Sequence, residues 1–202
     1  MQRNRSVTIS RGNRKLGAIM NVSTEPIKCC PTGIPCAQGG CYALRSIRLY
    51  PQTRKAWAKN GRIAKTNPRS YFSQIAKIVA DRKTLYFRWH VAGDILSIHY
   101  LHQMCRIAAQ NPRTRFLAFT KAFHIVNEYE NRRALPRNLA VIFSGWPKIN
   151  IDNPHGHRIA WMQDGTEDRV PKNAIACPGS CEHCGTCFQL PRLRRDVVFQ
   201  KH

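Results

Sequence analysis

Four cysteines lie close together near the end of the chain, at Cys177, Cys181, Cys184 and Cys187. The residues between them include Pro and Gly and little that is apolar, so this segment should form a loop that packing alone does not order. Thiolates bind soft metals, and a Gly-rich loop can fold around one centre. The spacing therefore predicts a metal or iron–sulfur site with these four residues as ligands.

Another group of cysteines lies far upstream, at Cys29, Cys30, Cys36 and Cys41. In chain order, these residues form the first cysteine group and loop, and Cys177 to Cys187 form the second cysteine loop. The Pro and Gly residues around them exclude regular structure until about Tyr42. We predict Cys30, Cys36 and Cys41 as further metal ligands. The chain has 9 cysteines and no export signal, so the thiols should stay reduced and free to bind metal. The spacing fits one shared centre or two separate ones.

The first three cysteines of the C-terminal group, Cys177, Cys181 and Cys184, have the spacing C-x3-C-x2-C, which resembles the cluster loop of radical S-adenosylmethionine enzymes. In that family three thiolates hold a 4Fe–4S cluster and leave one iron open for the amino and carboxylate groups of S-adenosylmethionine. The motif departs from the family in two ways: it follows the last strand, and Cys187 adds a fourth thiol that could close the open iron. The spacing is also nearly the mirror of a ferredoxin pattern, so it predicts a cluster more firmly than radical chemistry.

Zinc is the alternative metal. Structural zinc sites usually join two C-x2-C knuckles that are well separated in the chain, and four ligands within one short loop fit that pattern poorly. A zinc site that takes two thiols from each cysteine group is still compatible with the sequence. His183 lies inside the loop as a further donor, although a solvated histidine is the simpler interpretation.

The charge of the chain is strongly positive. Lys and Arg total 33 against 11 Asp and Glu, a net charge of +22 over 202 residues. Such a charge attracts polyanions at long range, so nucleic acid is an expected partner. The cations concentrate between Arg45 and Arg69. The sequence has no apolar run long enough to span a membrane and no signal peptide, so we expect a cytoplasmic protein of the host cell with no membrane segment.

Length and a hydrophobic fraction of 43% indicate a basic flexible arm over residues 1–15 and a single α/β metal-binding domain over residues 16–202. Apolar periodicity predicts helices over about 42–60, broken near Pro51, and over 68–81, 98–108 and 123–133. Strands are predicted at 85–91, 115–119, 139–143, 158–162 and 174–176, with short ones near 7–9 and 16–22. This alternation predicts a mainly parallel sheet. We expect a partial (β/α) barrel or an open curved sheet of five or six strands, with two cysteine-rich loops.

In parallel sheets, binding residues collect where strands end at their carboxyl edge. The predicted strand ends carry these cofactor-binding candidates: Gly93, Asp94, Thr120, Lys121, Ser144 and Trp146. Asp94 could receive a cofactor amino group, or it could cap a helix that begins near Ile95. Lys121 could bind a phosphate or carboxylate, and Trp146 could stack on a base. Solvation of the lysine and core packing of the tryptophan are the structural alternatives.

Several landmarks follow one another in a specific order. They are Cys30-Pro31, Cys36, Cys41-Tyr42-Ala43, Gly93-Asp94 with Ser97 and Tyr100, Phe119-Thr120-Lys121, Phe143-Ser144-Gly145-Trp146-Pro147 and Cys177-Pro178-Gly179. This order resembles a phage and mobile-element family, the gene-product-eighty-eight-like proteins, over roughly residues 15 to 190. The resemblance implies a phage, prophage or plasmid origin and a cysteine-bound metal centre.

Two functions are compatible with these features. The first is an iron–sulfur protein with a radical-enzyme-like partial barrel that acts on nucleic acid or a nucleotide, with Asp94, Thr120 and Ser144 lining the pocket. The alternative is a non-enzymatic nucleic-acid-binding protein in which zinc or a cluster only holds the fold together. The sequence contains no Ser-His-Asp set, Walker loop or G-x-G-x-x-G motif, which disfavours hydrolase, nucleotide-triphosphatase and Rossmann functions.

Overall fold

The computed structural model describes residues 6–38, 40–147, 149–163 and 167–200. Within these residues the strands are β1 (Ile9–Ser10), β2 (Met20–Val22), β3 (Tyr86–Trp89), β4 (Arg115–Thr120), β5 (Leu139–Ser144), β6 (Ile159–Met162), β7 (Ile175–Ala176) and β8 (Val197–Phe199). The α-helices of the described chain are α1 (Tyr42–Leu49), α2 (Pro51–Thr66), α3 (Pro68–Arg82), α4 (Ile98–Gln110), α5 (Phe123–Glu130), α6 (Cys181–Cys184) and α7 (Leu190–Leu193). Short 3-10 turns lie at Pro35–Ala37, Glu167–Arg169 and Thr186–Gln189.

The strands form one sheet in the order β1-β2-β3-β4-β5-β6-β8-β7. Every neighbouring pair is parallel except β1 and β2. The predicted mixed α/β fold with a mainly parallel sheet that does not close into a barrel is therefore confirmed. The expected number of five or six strands was too low, since the sheet has eight among the described residues. β8 was not predicted, and the two-residue strands at both edges also pair.

The helices begin where the sequence predicts breaks in the chain. Pro51 and Pro68 each occupy the first turn of a helix, where the missing N–H of proline costs nothing. Asn67 caps α3 by accepting a hydrogen bond from the backbone N–H of Ser70 at 3.1 Å. Ser97 caps α4 in the same way, through the N–H of Tyr100. These caps fix the direction in which the chain returns to the sheet.

The two faces of the sheet are covered by different parts of the chain. Side chains alternate along a strand, so Phe116 of β4 faces one side and Leu117 the other. The Phe116 side packs against buried residues of α2, α3, α4 and α5. The Leu117 side packs against Leu16, Phe188 and further apolar residues of the N-terminal and C-terminal segments. The second cysteine loop therefore lies on the face that has no long helix.

Part of the predicted basic arm is attached to the fold. Residues 1–5 lie outside the described residues. Val7 is buried, and its N–H donates to the side chain of Gln74 at 2.7 Å. The N–H of Thr8 donates to Asn60 Oδ1 at 2.8 Å, and β1 pairs with β2. The segment 6–15 thus packs against α2, α3 and the sheet edge, because its backbone donors find partners there.

A buried histidine follows β3. His90 is only 3% exposed and has a left-handed φ of 55°. Its Nε2 lies 2.9 Å from the hydroxyl of Tyr100, which donates to the hydroxyl of Tyr71 at 3.0 Å. Burial, together with the charge of Arg88, lowers the pKa of His90 to about 3. The folded protein therefore holds this imidazole in its neutral form.

This low pKa predicts acid sensitivity. Between its ordinary pKa and about 3, His90 takes up a proton only in the unfolded state, so stability falls as pH decreases. The contribution is about 1.4 kcal/mol per pH unit at most. Urea unfolding at several pH values gives the slope of the unfolding free energy against pH. This slope should be shallower for His90→Asn, because the imidazole is removed. Asn is chosen because it tolerates a left-handed backbone. His99→Gln, on the exposed face of α4, should keep the wild-type slope; an unchanged slope in His90→Asn contradicts the assignment.

Candidate metal centre

The second cysteine loop begins directly at the carboxyl end of β7. The N–H of Cys177 still donates to Val198 O of β8, at 2.9 Å. The chain then turns through α6 and reverses at Gly185, whose φ is 59°. Cys177, Cys181, Cys184 and Cys187 line one small cavity, whose other walls include Phe188 and Val197. The four cysteines predicted as ligands thus share one cavity.

The loop is anchored by packing at its far end, which the sequence did not predict. The N–H of Cys181 donates to Lys15 O at 2.8 Å. Phe188 is buried and its ring centre lies 4.6 Å from that of Tyr86, and Leu190 is fully buried in the same core. Packing therefore anchors the residues just after Cys187, which lie outside the segment Cys177–Cys187 for which little packing was predicted.

Burial and mutual repulsion determine the protonation of these thiols. Burial, followed by the charges of Cys181 and Cys177, raises the pKa of Cys187 to about 12. Burial also raises the pKa of Cys181. Cys184 Sγ donates to Thr186 Oγ1 at 2.8 Å. Without a bound cation the side chains of Cys181 and Cys187 are neutral thiols, and a metal would have to displace their protons.

The side chain of Arg88 points toward this loop from β3. Its guanidinium stacks on Phe119, with 4.9 Å from Cζ to the ring centre, and its charge opposes the rise in the pKa values of Cys181 and Cys187. Its Nε is buried and has no hydrogen-bond partner among the described residues. Arg88 was not among the residues predicted from the sequence. Its position as a charged residue in an otherwise apolar strand could have indicated it.

In the first cysteine group, Cys29 lies apart from the other three cysteines. Cys36 lies in the 3-10 turn, and Cys41 immediately precedes α1. Burial, followed by the nearby charges of Asp94, Cys36 and Cys41, raises the pKa of Cys30 to about 12. Cys29 instead faces α2, where a Cβ on Gly61 would lie 2.8 Å from its sulfur. The three thiols predicted as ligands therefore share one neighbourhood, from which Cys29 is turned away.

Asp94 ties two strand ends together. Its carboxylate accepts hydrogen bonds from Thr120 Oγ1 at 2.5 Å, from the N–H of Lys121 at 2.8 Å and from the N–H of Ile95 at 2.7 Å. The preceding Gly93 has a φ of 80°, and a Cβ there would lie 1.9 Å from Thr24 Oγ1. The expected helix at Ile95 is absent at that position, since α4 begins at Ile98. Asp94 and Thr120 thus join the ends of β3 and β4.

Lys121, another candidate, lines a cleft beside the first cysteine loop. Lys121 Nζ lies 5.3 Å from the ring centre of Trp146, and a Cβ on Gly40 would meet the same ring at 3.2 Å. The cleft has a volume of about 510 Å³, and its lining includes Cys30, Pro31, Ile95, Lys121, Phe123 and Asn150. Ser144 ends β5, paired with Ala160. Lys121 therefore faces the three-thiol group, and Trp146 packs on its loop.

All nine cysteines are free thiols. Across the described ranges, no three His, Cys, Asp or Glu side chains are arranged to hold a metal ion. Rotation of a cysteine side chain between staggered positions moves its sulfur without moving the backbone. His183 is exposed, and its Nδ1 lies 2.8 Å from Ser180 Oγ. The solvated interpretation of His183 agrees with this placement.

Comparison with known proteins supports the family inferred from the sequence. Among the described residues, no helix is both long and apolar enough to cross a membrane. No curated protein and no solved structure matches the chain, so the likeness to radical S-adenosylmethionine enzymes gains no support. The family model described as Gene product 88 matches residues 2–192. The chain therefore belongs to the phage gene-product-eighty-eight-like family.

Proposed function

We propose that Cys177, Cys181, Cys184 and Cys187 bind a 4Fe–4S cluster, and that the protein is an iron–sulfur protein of this phage family. The observation that supports the proposal is that all four cysteine residues line one cavity. Four cysteine thiolates are the ordinary ligand set of such a cluster. When bound, the cluster would supply one-electron transfer or a structural crosslink.

The surroundings of the cavity suit an anionic centre. A cluster with four thiolates carries net negative charge, whereas Arg88 is permanently positive. The buried Nε of Arg88 has no hydrogen-bond partner in the described chain, and a buried donor without a partner is unfavourable. Thiolates at Cys181 and Cys187 would provide the missing counter-charge. The donor set and the nearby cation therefore fit the proposed group.

The fourth thiol favours electron transfer or structure over radical chemistry at this loop. With Cys187 as a ligand, each of the four irons has one thiolate and none is left open for S-adenosylmethionine. The radical-enzyme prediction has its own test: reduced protein incubated with S-adenosylmethionine should release deoxyadenosine or methionine. Zinc on the same thiols is the competing metal.

A second activity, nucleic-acid binding, is favoured by one exposed surface. We define the basic surface as the exposed cations of α1, α2 and the start of α3: Arg45, Arg48, Arg54, Lys55, Arg62, Lys65 and Arg69. No Asp or Glu occurs between Glu25 and Asp81, so the helices that carry this surface contribute no acidic residue before Asp81. Tyr50, which is 61% exposed between α1 and α2, could stack on a base.

The cluster proposal predicts a specific loss of iron. In anaerobically prepared protein, Cys181→Ser combined with Cys184→Ser should lower bound iron by about four per chain, because two thiolate ligands are removed. Iron and zinc content, with visible absorption, measures the effect. Cys105→Ala is the matched control, since Cys105 is buried in the helical core and should retain all iron. A colourless wild-type protein with stoichiometric zinc would overturn the proposal.

The basic surface predicts a change in salt dependence. Each phosphate contact contributes about 0.9 to the slope of log affinity against log salt for duplex DNA. Removing two charges with Arg48→Ala and Arg54→Ala should reduce the slope by about 2. Arg106→Ala with Arg113→Ala removes two exposed cations from α4 and the loop after it and should leave the slope nearly unchanged. Equal effects in both pairs would contradict a defined binding surface.

A further inference from the structure

Large apolar side chains are exposed mainly on one short helix. Among the described residues, six large hydrophobic side chains are exposed, and three of them, Tyr42, Leu49 and Tyr50, lie on α1 and its C-terminal cap. Their exposed fractions are 52%, 56% and 61%. The only buried residue of α1 is Ala43. A cluster of exposed apolar side chains in one short segment is typical of a binding surface.

Cations share the outward face of α1 with these apolar residues. Residues three and seven positions apart lie on the same side of a helix, so Tyr42, Arg45 and Leu49 form one face, with Arg48 at its border. All four are exposed, whereas the other residues of α1 are buried or half-buried. The outward face therefore offers aromatic, apolar and positively charged groups together.

The cations of this face are not neutralised by ion pairs. In the described chain, no ion pair involves an Arg or Lys of α1 or α2. Glu25 lies near Gly61 of α2, but its carboxylate pairs with Lys28 at 2.9 Å. The cations are therefore available to an anionic partner such as a chain of phosphates.

Hydrogen bonds anchor both tyrosines. The hydroxyl of Tyr42 donates to Val91 O, beyond the end of β3. Tyr50 joins α1 to α2: its N–H donates to Ser46 O at 3.0 Å, and its carbonyl accepts from the N–H of Arg54 at 3.1 Å. Because these positions are fixed in the free protein, a flat ligand can stack on the rings while the protein loses little freedom.

We propose that this face binds single-stranded nucleic acid, with unpaired bases stacked on Tyr42 and Tyr50 and phosphates held by Arg45, Arg48 and Arg54. The inference rests on the proposed nucleic-acid-binding activity and names its substrate class. Aromatic rings that stack on bases, beside cations that follow the phosphates, are the usual means of holding a single strand without sequence preference. Single-stranded DNA and RNA share this chemistry.

Duplex nucleic acid and a membrane surface fit the face less well. In a duplex the bases already stack on one another, so the exposed rings would gain no contact and only the cations would bind. A helix at a membrane surface buries its apolar residues among the lipid chains. The hydroxyl of Tyr42 is instead held at the carbonyl of Val91, so its ring cannot insert while that bond is kept. The geometry therefore favours a single strand.

Fluorescence anisotropy with an oligothymidylate of about 20 nucleotides and with a duplex of equal length measures the preference. Wild-type protein should bind the single strand more tightly. Tyr50→Ala should weaken this binding about tenfold, as expected for the loss of one stacked base, and should leave duplex binding and the salt slope unchanged. Tyr50→Phe keeps the ring, and Leu85→Ala removes an exposed leucine after α3; both should retain wild-type affinity.

Tighter binding to the duplex, or equal affinity in wild type and Tyr50→Ala, would overturn the inference. Either result leaves the basic surface standing, because Arg48→Ala with Arg54→Ala would still reduce the salt slope if phosphates alone are bound. A preference for oligouridylate over duplex RNA would support the same inference for RNA, and loss of the preference with both sugars would overturn it. Binding to anionic vesicles without binding to either oligonucleotide would also overturn it.

A second measurement uses the wild-type protein. Photocrosslinking to an iodouracil-substituted oligonucleotide, followed by mass spectrometry, should attach the base to Tyr42 or Tyr50, because a stacked ring is the nearest acceptor. Attachment only to peptides outside α1 and α2 contradicts the inference.

Discussion

The structure depends on one constraint: the sheet face that the helices leave open must be buried by other parts of the chain. Four long helices bury one face of the sheet, and an exposed apolar sheet face in water is unfavourable. The chain covers the other face with its ends: Leu16 and Ile19 from one side, Phe188 and Leu190 from the other. The second cysteine loop lies on this face because it connects β7 to the covering segment. Core packing therefore determines where the thiols are placed.

Strand order strengthens this arrangement. β8 inserts between β6 and β7, so the chain between β7 and β8 must leave the sheet, cross its face and return. Asp196, just before β8, accepts from Trp161 Nε1 at 2.9 Å and from the N–H of Ile159 at 3.0 Å. These bonds fix the returning strand in register with β6. The loop that carries four thiols is thus held at both ends by paired strands, whatever it binds.

Sequence periodicity was sufficient for the helices and central strands. Pro51, Asn67 and Pro68 placed helix boundaries because their effects are local. β8 was missed because Val197–Phe199 is short and its strand conformation comes from pairing with β6 and β7. The separation of Cys29 from the other three thiols also depends on a distant residue, Gly61. Adjacent cysteines in a loop give no local signal about which one faces a helix.

At the candidate site, too, residues with a local sequence pattern could be predicted, and a residue that is placed by the fold could not. Cysteine spacing located both thiol groups, while Arg88 was found only from the structure. The charge of Arg88 acts on Tyr42, next to Cys41, and on Cys181 and Cys187. One permanent cation on β3 therefore lies within electrostatic range of both loops.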